Sequence, residues 1–203
     1  MKIEKYEKIG KSKYRLYLDN GEVIDTYDDV ILKNDLLLVK EISPTMYNVI
    51  LQDSILQEGY NACCKYISVR IRSIKEISDY LLRKSFSSCD IDIIVDRLIK
   101  DKFLDDNHFC ECFIKDKLRF TTMGEYKIIN ELKRHNISSD IINNNMFLLS
   151  SEVMKEKIEK IVDKKIASNR KLDASHLRNK LYHSLLNLGY SSSLIVEILD
   201  SKF

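Results

Sequence analysis

A mainly α protein, with tandem three-helix repeats forming an elongated curved array behind a small N-terminal β-hairpin segment, is predicted by three observations. Leu81-Leu82-Arg83-Lys84-Ser85-Phe86-Ser87-Ser88 is echoed by Leu132-Lys133-Arg134-His135-Asn136-Ile137-Ser138-Ser139 and again by Leu185-Leu186-Asn187-Leu188-Gly189-Tyr190-Ser191-Ser192. The offsets from Phe86 to Ile137 and from Ile137 to Tyr190 are 51 and 53 residues, so one helical unit is written three times. The 203 residues include only 5 Gly and 1 Pro, too few for turn-rich sheet, while a 44% hydrophobic content is ordinary for a folded chain. From Tyr47 onward the apolar residues recur at helical steps of three and four. Tandem units bury their core against neighbours and offer extended surfaces in place of enclosed pockets.

The elements follow in order. Tyr14–Leu18 and Val23–Tyr27 flank Asp19-Asn20-Gly21-Glu22, where Asn-Gly suits a type I′ hairpin turn. A lone hairpin is marginal in water, so its apolar face is expected on the next segment, Val30–Leu32 to Leu36–Val39, read as a short helix. Ser43-Pro44 marks the start of the following helix, with Pro in its first turn. These residues, 1–58, form an N-terminal extension, and the repeats are placed at 59–105, 106–150 and 151–203. In repeat one, Ile74, Ile77, Leu81 and Leu82 line one helix face, and Ser87 or Ser88 caps a helix carrying Ile91, Ile94, Val95 and Leu98. Repeat two opens at Asp105-Asp106-Asn107, breaks at Thr121–Gly124, carries Ile128, Ile129 and Leu132, and turns at Asn136. Repeat three has stripes at Ile158, Ile161, Val162, Ile166 and at Leu177, Leu181, Leu185, Leu188, with Gly189 ending that helix as a left-handed residue.

Charge is unevenly shared. Of the 33 basic and 31 acidic side chains, residues 1–58 hold 8 and 11, leaving 25 and 20 for residues 59–203. The helical part is therefore mildly basic, which suits work near nucleic acid and equally suits an ordinary solvated surface. The N-terminus begins with alternating charges, without an apolar signal core, and no window approaches 18 apolar residues, so a cytoplasmic protein off the membrane is expected. Five cysteines, an odd number, are expected as reduced thiols.

Particular residues look familiar in this order. Arg72-Ser73-Ile74-Lys75-Glu76-Ile77, continuing to Leu81, Lys84 and Phe86, resembles the first-repeat signature of the RecX family of recombination regulators. Lys102–Phe109 resembles that family's G-Y-L-D-D-x-x-F connector. Gly124, Lys127–Leu132 and Asn136-Ile137 are similar to its second repeat, and Lys180-Leu181, Leu185 and Gly189-Tyr190 to its third. Lys102, Ser85 and Asn136 stand where the family usually has Gly, and Asn tolerates a left-handed conformation better than Ser. The resemblance implies a non-enzymatic partner of the RecA recombinase, an elongated helical arc along the groove of a RecA filament on single-stranded DNA. There it restrains filament extension, ATP hydrolysis and strand exchange. An extended repeat chain needs no partner copy to fold, so a monomer is expected.

The candidate filament- or nucleic-acid-binding residues are the basic side chains on the non-core faces. They are Arg72, Arg83 and Lys84 in the first repeat; Lys115, Lys117, Arg119, Lys127, Lys133 and Arg134 in the second; and Lys164, Lys165, Arg170, Lys171, Arg178 and Lys180 in the third. Phosphate contact by such groups is Coulombic and lost with salt. Phe120 and Tyr126 lie among them, but their spacing reads as core or rim packing in preference to base stacking. His108-x-Cys110-x-Cys112 splays around a helix and no C-x-x-C exists, so no metal is expected, and Cys110 and Cys63 read as buried small hydrophobes. No P-loop, G-x-S-x-G or H-E-x-x-H is present, and Asp105-Asp106 reads as a helix cap, so neither catalysis nor a cofactor is expected. A helix-turn-helix DNA-binding regulator unconnected to RecA is the alternative, and a scaffold without a nucleic-acid role is a third reading.

Overall fold

Buried Leu16 and Leu18 alternate with half-buried Arg15 and Tyr17, which makes Lys13–Leu18 a strand with one face on a core. It is β2, the centre of an antiparallel sheet ordered β1-β2-β3, with β1 at Ile3–Lys8 and β3 at Val23–Tyr27. The expected hairpin is thus present but carries a further strand: Lys5 pairs with Tyr17 and Glu7 with Arg15. The β2–β3 turn also differs. Only Gly21 has a positive φ, +82°, Gly21 N–H donates to Leu18 O and Leu18 N–H donates to Glu22 O. That is a type I turn closed by a left-handed glycine, not the type I′ turn, which would need Asn20 left-handed as well.

The structure is a computed structural model that describes residues 1–39, 41–169 and 173–203. These fall into two compact units, Met1–Arg72 with Ile77–Leu104, and Ser73–Glu76 with Asp105–Phe203. In the first, the sheet's inner face, Leu16, Leu18 and Ile24, packs with Val30, Ile31 and Leu36 and with Ile50. The short helix is α1 (Asp28–Lys33), and it stops before the second half of the segment expected to be helical, with Asp35 at φ +50°. Ser43 caps α2 (Pro44–Ile67) by accepting from Met46 N–H. The buried Thr26 and Ser54 hydroxyls, 2.7 Å apart, pin that 24-residue helix to β3. α3 (Ile74–Arg83) and α4 (Ser88–Lys100) follow. Of the stripe assigned to α3, Ile77 and Leu81 are fully buried, whereas Leu82 is 64% exposed, because it lies a residue past the core-facing phase set by those two.

The second unit holds α5 (Asp106–Phe120), α6 (Glu125–Arg134), α7 (Ser139–Asn144), a 3₁₀ turn at Met146–Leu149, α8 (Ser151–Ser168), α9 (Ala174–Leu188) and α10 (Ser192–Lys202). Asp105 caps α5, accepting from the N–H groups of Asn107 and His108. Ile114, Ile128, Leu132, Ile158, Val162, Leu185 and Ile195 form one fully buried core.

The tandem motif folds into the same corner three times. Ser85, Asn136 and Gly189 have φ values of +67°, +59° and +90°. Each closes its helix by two backbone bonds: Phe86 N–H to Leu81 O and Ser85 N–H to Leu82 O; Ile137 to Leu132 and Asn136 to Lys133; Tyr190 to Leu185 and Gly189 to Leu186. This is the Schellman arrangement, in which the residue after the left-handed one turns inward as a hydrophobic plug. Ile137 and Tyr190 are buried and Phe86 is half-buried. Ser87 and Ser138 then cap the next helix by accepting from Asp90 and Ile141 N–H. Lys102, at φ +62°, closes α4 in the same way, with Phe103 N–H donating to Leu98 O.

Within the second unit the start of α6 is clamped to the α9–α10 corner. Gly124 N–H donates to Leu188 O at 2.8 Å and Tyr126 N–H to Gly189 O at 3.0 Å. A Cβ on Gly124 would sit 2.5 Å from the carbonyl carbon and oxygen of Gly189, so this backbone crossing admits only glycine. Glu125 accepts from Ser191 N–H at 2.8 Å, and the buried Tyr190 hydroxyl donates to Thr122 O at 3.1 Å. Burial, with the nearby Glu125 charge, pushes that phenol up to about 12.

Two substitutions test these corners by urea unfolding. Gly124→Ala is expected to cost about 2 kcal/mol or more, since it meets rigid backbone. Ser85→Gly is expected to stabilise by about 0.5–1 kcal/mol, because relief of a left-handed side chain, worth roughly 1–2 kcal/mol, outweighs the added glycine entropy. An unchanged midpoint for both would contradict the geometry.

Candidate nucleic-acid interface

Helix α6 shows how the basic residues are sorted. Ile128 and Leu132 fix its core side, and at 100° per residue Lys133, Tyr126, Asn130, Arg134 and Lys127 fall in that angular order on the opposite arc. All five are exposed. Of the two acids of α6, Glu125 is turned inward to Ser191 N–H and Glu131 is engaged by Lys117 at 2.6 Å, and among the described residues Lys127, Lys133 and Arg134 make no ion pair. One helix face therefore carries three uncompensated cations, an open amide and an aromatic ring.

Other predicted residues are held in the fold's own interactions. Arg72 lies 3.7 Å over the Tyr66 ring, which stacks on Tyr80 at 4.3 Å. Lys115 pairs with Glu111 along α5, and Lys117 also sits 4.8 Å over Phe113. Arg178 pairs with Asp200 of α10. Exposed without an ion pair among the described residues are Arg83 and Lys84 at the end of α3, Arg119 at the end of α5, Lys164 and Lys165 on α8, and Lys180 on α9. Arg170 and Lys171 lie outside the described residues. Thus Lys127, Lys133 and Arg134 are brought onto one face, whereas Arg83 and Lys84 belong to the other unit.

The packing expected for two aromatics is not found. Tyr126 is 57% and Phe120 70% exposed. Tyr126 stands two residues before Ile128, about 160° away around the helix, and that phase was legible from Ile128, Ile129 and Leu132. Phe120 is in phase with Phe109 and Phe113 but is the last residue of α5, where its ring stays exposed with Arg119 5.1 Å over it. Also unanticipated is a groove of about 450 Å³ beside α6, lined by Tyr126, Lys127 and Asn130 and by Leu186, Asn187, Gly189, Tyr190 and Ser192 of the α9–α10 corner. It exists because the Gly124–Gly189 crossing brings those elements together.

Cys63 and Cys110 are fully buried, and burial pushes their thiols up to about 12 and about 11. Cys112 Sγ lies 3.7 Å from His108 Nε2 on the outer side of α5, and no group of three potential metal ligands occurs among the described residues. No helix among them is long and apolar enough to cross a membrane.

A family model described as the first three-helix domain of RecX matches residues 60–98. Regulatory protein RecX of Streptococcus uberis is 33% identical over 200 residues, covering 96% of this chain and 74% of its own length. This chain belongs to the RecX family. Regulatory protein RecX of Clostridium beijerinckii is 28% identical, covering 98% of this chain and 92% of its own. Among solved structures, a crystal structure of regulatory protein RecX superposes with a TM-score of 0.84 over 98% of both chains at 21% identity. That of RecX from Lactobacillus salivarius gives 0.68 over 72% of this chain and 95% of its own at 24% identity. These two establish that the fold is the RecX fold. The relatives are named regulatory proteins, which places this RecX-family chain in a regulatory class.

Thiol chemistry tests the site description. Alkylation at pH 8 is expected to modify Cys89 first and leave Cys63 and Cys110 untouched until the chain unfolds, as read by peptide mass mapping. A raised thiol ionises first in the unfolded chain. Its stabilising contribution is therefore complete below the ordinary value near 9 and lost as pH climbs through about 9 to 11, and thermal melts should fall over that window.

Proposed function

We propose that this RecX-family chain binds RecA filaments assembled on single-stranded DNA and restrains filament extension, ATP hydrolysis and strand exchange. Family membership supports the reading, and the observation that carries it is the set of cations on α6 that no acid of the described fold compensates. The units of this reading are three-helix repeats at 59–105, 106–150 and 151–203, after an extension at 1–58. The protein acts as a cytoplasmic monomer, by occupancy and not by catalysis. Phosphate neutralisation by Lys127, Lys133 and Arg134, with Arg83, Lys84, Arg119, Lys164, Lys165 and Lys180 as further contacts, makes binding salt-dependent.

A helix-turn-helix regulator needs the helix after each corner to read base edges. Those helices argue against it. α4 exposes Asp92 and Asp96, α7 has 6 residues with Asp140 exposed, and α10 exposes Glu197 and Asp200.

The experiment is to titrate the protein into RecA on single-stranded DNA and follow ATP turnover and filament length. Inhibition is expected at concentrations too low to coat naked DNA. The triple variant Lys127→Glu, Lys133→Glu, Arg134→Glu should need at least about tenfold more protein for the same effect, with its melting temperature unchanged, since each removed cation contacts a polyanion. Site-specific duplex binding without any effect on RecA would sink the reading.

A further inference from the structure

The groove beside α6 has a composition that phosphate contact alone does not need. No Asp or Glu lines it, its aromatic ring is open, and the Asn130 and Asn187 amides make no hydrogen bonds among the described residues. At about 450 Å³ it is a shallow groove open to solvent, which suits contact with one face and edge of a base while the rest of a strand stays outside. Lys127 contributes to the wall, and Gly189, lacking a side chain, brings the corner close against Lys127: a Cβ there would lie 2.8 Å from Lys127 Cβ and N. The groove therefore combines an exposed π-face, two amides able to meet donor and acceptor edges, and a cation at the rim.

We propose that this groove seats an unstacked base of a single-stranded nucleic acid, its face on the Tyr126 ring, its edge toward Asn130 and Asn187, and Lys127 on the adjoining phosphate. A strand fits where a duplex does not, because paired bases have their faces covered and present no π-surface to a ring. A protein segment fits less well, since only Leu186 and Tyr190 add apolar wall to a cationic rim. Lys133 and Arg134, about 10–12 Å further along the same exposed arc, continue the cationic track toward the C-terminal end of α6. The inference rests on the nucleic-acid side of the proposed function and names where the strand is gripped.

The test needs no RecA. Anisotropy of a labelled thymidine oligomer is measured with the full chain, Tyr126→Ala and Tyr126→Phe, on base-bearing and abasic strands of equal length. Loss of one stacked base is expected to weaken Tyr126→Ala roughly tenfold on the base-bearing strand, while Tyr126→Phe keeps its affinity. On the abasic strand the three proteins should bind alike, which separates stacking from loss of structure. Equal weakening on both strands, or none on either, overturns the proposal. So does displacement of the oligomer by free thymidine monophosphate at matched nucleotide concentration, because that marks a mononucleotide pocket. If Tyr126→Ala binds the oligomer normally while RecA inhibition persists, the groove assignment fails and the filament reading stands. If the stacking pattern appears while even the unsubstituted protein leaves RecA untouched, the reverse holds.

Discussion

A left-handed residue at the end of one helix, followed by an inward hydrophobe and a serine, is the constraint on which the helical architecture depends. It satisfies the last carbonyls of the outgoing helix with two backbone bonds and supplies the first side-chain acceptor for the incoming one at Ser87 and Ser138. Helix ends left without partners in a core are costly, so the corner fixes the angle between helices as firmly as the core does. The side chain at the left-handed position varies among Ser, Asn and Gly, which shows that the backbone geometry is what has been kept.

That geometry also decides which charges are spent within the molecule. Pairs such as Lys155 with Glu197, Arg178 with Asp200 and Lys202 with Asp163 tie α10 to α8 and α9. Each is solvent-exposed and worth little to stability, about 0–1 kcal/mol, but each removes a cation from the surface's free supply. On α6 the equivalent pairing is absent on the outer arc, because Glu125 is turned inward onto Ser191 N–H and Glu131 is taken by Lys117. The surplus on α6 thus follows from where its two acids point, not from an unusual density of basic residues.

Much of this was legible in the sequence. The echo of eight residues located all three corners, and Gly189, Asn136, Ser43-Pro44 and Asp105 were each identified for the structural task they perform. Strand β1 was not, because Glu4, Lys5, Glu7 and Lys8 hide a pattern in which Ile3 alone of the strand is buried and Tyr6 is tied through its hydroxyl to Leu36 O. The turn type was missed because Asn-Gly is compatible with more than one hairpin, and closure by Gly21 alone depends on the register of the flanking strands. For the site, residue types were found but not their partners. Whether Lys117 or Lys127 is free depends on α5–α6 packing, which no spacing rule encodes. The groove was out of reach for the same reason, since its walls come from residues some 60 positions apart brought together by a glycine crossing.

The corner has a further consequence for how such a chain tolerates changes in length. The unequal offsets between successive copies are accompanied by first helices of different size, 15 residues in α5 and 18 in α8, whereas the eight residues around each bend keep their count. The difference in length between copies thus lies in the helices between bends and not in the bends. One residue added between Leu132 and Ile137 would instead swing the following helix through about 100° and carry its apolar stripe out of the core. Genetic drift in length is therefore channelled into the rods and barred from the bends.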